Sequence, residues 1–76
     1  MSKPDLHHEK FCGYGVEHRA TPEKSCVVIW YNNGDEMGEL RFDISWEGHK
    51  EYLYMKICDM WDAGMSIEAI DAYYKL

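Results

Sequence analysis

Leu40-Arg41-Phe42-Asp43-Ile44-Ser45-Trp46 alternates apolar and polar residues without a break. Successive side chains of a strand point to opposite faces, so this stretch predicts a strand with one face buried and one wet. The run before it, Cys26-Val27-Val28-Ile29-Trp30-Tyr31, is continuously apolar and rich in β-branched and aromatic residues. That pattern predicts a more fully buried strand. Between the two lies Asn32-Asn33-Gly34-Asp35-Glu36-Met37-Gly38. Asn and Gly tolerate positive φ, so the segment predicts a hairpin connection, longer than the tightest two-residue type.

Toward the N-terminus, Cys12, Tyr14 and Val16 alternate with Phe11, Gly13, Gly15 and Glu17. Two glycines weaken a strand interior or mark a bulge, so Phe11 to His18 predicts a short edge strand. Arg19 to Ser25, with Pro22, is the expected turn back. After Trp46 the period changes. Leu53, Ile57, Met60 and Trp61 fall at i, i+4, i+7 and i+8, which predicts a helix over residues 48–63. Gly64 suits its C-terminal stop. Ser66 suits the N-cap of a second helix running to Tyr74, Glu68 suits its positive end, and Met65 and Ile70 suit a hydrophobic staple.

Strand, strand, strand, helix, helix predicts an α+β domain: a small antiparallel three-stranded sheet followed by a C-terminal αα-hairpin packed on one face. Leu40, Phe42, Ile44 and Trp46 are expected to face Leu53, Ile57, Met60 and Ile70. The 76 residues form one expected domain, 1–76, with residues 1–9 a flexible start.

The chain carries 14 acidic and 8 basic residues, a net charge of -6. Residues 1–24 are balanced, and the excess lies in 25–50 and 51–76. That sign disfavours direct binding to a nucleic-acid backbone or an anionic membrane. No apolar run approaches the roughly 18 residues that span a bilayer, and the first residues lack the apolar stretch of a signal peptide, so a cytoplasmic location is expected. Three cysteines at wide spacing, Cys12, Cys26 and Cys58, fit reduced thiols better than a disulfide framework.

Few residues invite chemistry. His8, Cys12, His18 and Cys26 could supply four metal ligands, but no Cys-x-x-Cys or His-x-x-x-His pair is present, and no metal or other cofactor is expected. Gly13-Tyr14-Gly15 lacks the third glycine and the strand-then-helix setting of a phosphate loop. Cys58 lies in the apolar body of a predicted helix, and so short a chain leaves little room for a pocket of several hundred Å³. An enzyme is therefore not expected.

The acids and aromatics remain. Asp35, Glu36 and Glu39 cluster near the hairpin tip, and Asp59 and Asp62 lie three apart on the first helix. Such carboxylates can keep a small protein soluble. Spaced along a rigid element, they can also stand in for phosphates and dock on a basic, nucleic-acid-binding surface of another protein. Eleven aromatics exceed what so small an interior holds, and Tyr54 or Tyr74 is the expected interface anchor. The expected function is a small acidic, non-catalytic interaction module, an inhibitor or modulator. In size and acidity, though in no motif, it is similar to the short proteins with which bacteriophages block host enzymes. The alternative is a helix-turn-helix-like DNA-binding regulator using the αα-hairpin. A three-stranded sheet also has two edges through which a homodimer could form, and the weak first strand offers the more open one.

Overall fold

A computed structural model describes residues 8–18, 25–43 and 48–75. Strand β1 (Phe11–Glu17) precedes β2 (Cys26–Asn33) and β3 (Glu36–Asp43), and the helices α1 (Lys50–Asp62) and α2 (Ile67–Tyr74) follow. The sheet order is β1-β2-β3 and both pairings are antiparallel. This is the expected α+β architecture. The expected flexible start falls outside the described residues for 1–7. The turn at 19–24 and the core positions Ile44 and Trp46 fall outside them as well.

The hairpin connection is shorter than its composition suggested. Asn33 pairs with Glu36, so Gly34 and Asp35 alone form the loop. Gly34 has φ +69°, while Asp35 keeps a negative φ. A two-residue hairpin with glycine first and left-handed matches the twist of its strands. Asn32, Asn33, Glu36, Met37 and Gly38 are thereby drawn into the strands.

Val27, Ile29, Leu40 and Phe42 share the face covered by the helices, and all four are buried. Leu53, Ile57 and Ile70 close over them as expected, with Met60 half-buried beside them. Burying an aliphatic or Phe side chain of this kind stabilises by about 1.5–3 kcal/mol. In β1 strict alternation fails. Phe11 pairs with Tyr31 and Gly13 with Trp30, which makes Cys12 an extra residue in a bulge. The bulge brings Phe11 to the same face as Tyr14 and Val16 and leaves Cys12 exposed. Asn32 holds this irregular start: its backbone N–H donates to the Lys10 carbonyl at 2.7 Å and its side-chain amide to the Glu9 carbonyl at 3.0 Å.

The opposite face is covered differently. A Cβ on Gly15 would stand 2.7 Å from Cη2 of Trp30, so that ring lies directly over the glycine. Arg41 of β3 reaches past β2 to Glu17 of β1 and also donates to Glu39 at 2.7 Å. These two carboxylates hold the guanidinium still more firmly protonated than usual.

Between the helices the local signals act as read. Gly64 has φ +99°; its N–H donates to the Trp61 carbonyl and that of Met65 to the Met60 carbonyl. This crossed pair satisfies α1's last carbonyls. Ser66 Oγ then accepts from the N–H of Ala69 at 3.1 Å and caps α2.

Candidate functional site

The seven residues expected to bind a partner are spread over several places. Asp35 and Glu36 stand exposed at the hairpin turn. Glu39 lies on the sheet face away from the helices, in the ion pair with Arg41. Asp59 and Asp62 are exposed on α1, and Asp62 Oδ1 is 3.1 Å from His8 Nε2. His8 Nδ1 accepts the Lys10 N–H at 3.0 Å, so the hydrogen of the neutral ring sits on Nε2, facing Asp62. Among the described residues, Asp35, Glu36 and Asp59 have no ion-pair partner.

One of the two expected anchors needs correction. Tyr54 is fully buried, and its hydroxyl donates to the Phe11 carbonyl at 3.0 Å. It follows Leu53 and lies three before Ile57, inside the apolar stripe, and cannot present its ring to a partner. Tyr74 is half-buried, with its ring 5.7 Å from Phe42 and 4.9 Å from Tyr73. Burial, and then the neighbouring Tyr73 and Tyr52, push its phenol above the ordinary value.

Among the described large hydrophobic side chains, those that do face outward are Met37 on β3, at 59% exposure, Tyr52 and Met55 on α1, at 56% and 45%, and Tyr73 on α2, at 57%. Tyr52, Met55 and Asp59 fall at i, i+3 and i+7, along one side of the helix. Their position off the Leu53–Ile57–Met60 stripe was the signal available in the sequence for preferring Tyr52 to Tyr54.

A groove of about 620 Å³ opens where the turn end of the β2–β3 hairpin meets the α1–α2 turn. Tyr31, Asn33, Trp61, Met65 and Glu68 line it. Lys10 enters between two rings, its Nζ 4.8 Å from the Trp61 centroid and 5.5 Å from that of Tyr31. A hollow of this size was not expected in so short a chain. Its walls come from Lys10, from Tyr31 and Asn33 of β2, and from Trp61 and residues 64–68 at the junction of the helices.

The remaining candidate groups are separated. Cys12 is exposed and donates through Sγ to Asn32 Oδ1 at 3.2 Å, whereas Cys26 and Cys58 are buried. His18 Nδ1 lies 2.8 Å from Ser25 Oγ, and Ser25 is itself buried. Among the described residues no three His, Cys, Asp or Glu side chains gather as a metal set. On α2, Glu68 and Asp71 stand where a DNA-reading helix would carry cations, and Lys75 is paired with Asp71 at 3.0 Å. No helix of the described residues is long and apolar enough to cross a membrane. No protein-family model matches the chain, and no curated protein or solved structure matches it.

Proposed function

We propose that this protein is a non-catalytic interaction module that works in the cytoplasm. It inhibits or modulates a nucleic-acid-handling partner by docking on that partner's basic surface. The observation that carries this reading is the outer surface of the two helices. Tyr52 and Met55 are left exposed on α1 along the same side as Asp59, which has no ion pair among the described residues, and Tyr73 is exposed on α2. Exposed Tyr beside carboxylates suits a cationic protein surface: the rings supply contact area and the charges speed encounter. Among the described residues Lys10, Arg41 and Lys75 are meanwhile engaged with rings or carboxylates of the chain itself, and Lys56 Nζ lies 5.9 Å from the centroid of the Tyr52 ring. An accessory protein of the bacteriophage type would act in this way.

The immobilised protein, exposed to a host lysate, is expected to retain a nucleic-acid-binding protein that heparin or duplex DNA displaces. Reversing Asp59 and Asp62 to Lys together should slow association, most at low salt, and Tyr52→Ala should speed release. Duplex DNA alone should show no retardation. A salt-sensitive shift with DNA would favour the helix-turn-helix reading instead. Capture that ignores charge reversal, but is lost with Tyr52→Ala, would make the interface apolar and the acids a solubility device.

A further inference from the structure

We propose that β3 is a self-association edge, on which a second copy of the chain adds antiparallel to give a continuous six-stranded sheet. Of the two edge strands, β1 is interrupted by the bulge at Cys12, which breaks regular pairing. β3 is not. Its pairing with β2 runs unbroken from Asn33↔Glu36 to Cys26↔Asp43, and its eight residues include no proline and no lysine. Such an edge offers a regular row of backbone donors and acceptors to another strand. Among the described residues no other strand lies beyond it. The sequence pointed to β1 as the open edge, and the bulge reverses that preference.

The side chains of β3 select both the occupant and the register. A two-fold axis perpendicular to the sheet keeps both pairs of helices on one face, so opposed residues share a face and the axis passes through a residue. Centring on Glu39 sets Glu39 against the partner's Glu39. Centring on Arg41 sets Arg41 against the partner's Arg41 and Glu39 against the partner's Asp43. Both put like charges directly opposite, which is destabilising.

Centring on Leu40 does the reverse. Glu39 faces the partner's Arg41, Arg41 faces the partner's Glu39, and Phe42 faces the partner's Gly38. This register opposes all of residues 37–43, whereas among the described residues centring on Gly38 opposes only 36–40, and centring on Phe42, which would pair Arg41 with the partner's Asp43, opposes only 41–43. Glu39 and Arg41 both lie on the sheet face away from the helices, with side chains 40% and 42% exposed, and are accessible to a partner. The strand is thus complementary to itself, which commits the edge to a second copy.

Sedimentation equilibrium tests this. The wild-type chain should show a concentration-dependent monomer–dimer equilibrium. Arg41→Glu and Glu39→Arg, each confirmed as folded by circular dichroism, should dimerise at least about tenfold more weakly alone, because each places two like-charge pairs across the axis. Mixed in equal amounts they should dimerise again. Positions 39 and 41 are then both acidic in one chain and both basic in the other, so each pair across the axis is of opposite charge. A wild-type chain that stays monomeric at about 1 mM overturns the proposal. So do variants that dimerise as well alone as mixed, and a mixture that stays monomeric. Glu39→Arg leaves the Arg41–Glu17 contact in place, so it keeps the test valid if Arg41→Glu fails to fold. None of these outcomes bears on the acidic helical surface.

Discussion

On the face of the sheet beneath the helices, Val27, Ile29, Leu40 and Phe42 are covered by Leu53, Ile57 and Ile70 from α1 and α2. On the opposite face, Cys26 and Val28 are as deeply buried, yet two side chains of the sheet itself, Trp30 and Arg41, lie across it. The first face uses packing between elements, which is stiff and loses contacts when any one side chain shrinks. The second uses long side chains laid flat, which can lift. A chain with too few residues for two layers of helix can still shelter both sides of a sheet, but the two coverings differ in strength and in what disturbs them.

Substitutions on the two faces sharpen that contrast. Phe42→Ala removes a ring from the covered face and should cost about 3–5 kcal/mol, read as a loss in the midpoint of chemical denaturation. Next come two glycines that mirror each other. A Cβ on Gly38 would overlap the Tyr31 ring, which packs on Phe11 at 6.4 Å between centroids, so Gly38→Ala should cost about 1–3 kcal/mol. Gly15→Ala meets only Trp30 on the open side, and the ring can swing out, so its cost should be smaller. Equal costs would show that Trp30 is held as rigidly as Tyr31.

Tyr54→Phe deletes the hydroxyl that reaches the Phe11 carbonyl and should cost about 1–2 kcal/mol with the fold intact. The covered face also sets an alkaline limit. Burial, then the charge and hydrogen bond of Glu51, raise the Tyr14 phenol above 10.0, and burial with neighbouring tyrosines raises Tyr74. The unfolded chain therefore ionises first, and stability should fall as pH climbs above about 10, a fall that Tyr14→Phe should lessen. Arg41→Ala should change stability least, and added salt should shrink the change further, because its ion pairs lie in water. A larger loss would mean that the guanidinium, like a core side chain, is part of the packing.

Legibility followed the same divide. The α1–α2 junction could be read residue by residue, because glycine and serine each have a dominant local role there. The order of strands and helices could be read from period and composition, and so could the helix-facing Leu40 and Phe42. The start of β1 could not. A bulge depends on which pairing lets Phe11 reach the core, and that is decided by α1, whose Tyr54 lies 43 residues further on, not by Cys12. Tyr54 was misjudged because an aromatic reads equally as core or contact until its helix is oriented. Trp30 and Arg41 gave no sign of lying flat, since alternation states a side but not a direction along it.

Residues 63–66 join the helices, and one of them belongs to both. Met65 donates its N–H to the last turn of α1 and stands immediately before the serine that caps α2. Fraying that turn releases Gly64 and Met65, and with them the placement of Ser66 and the amide of Ala69 that it holds. The two helices should therefore open as one cooperative unit. Hydrogen exchange would show it as a common protection factor for the amides of Gly64, Met65, Ala69 and Ile70, and not as two rates belonging to two helices.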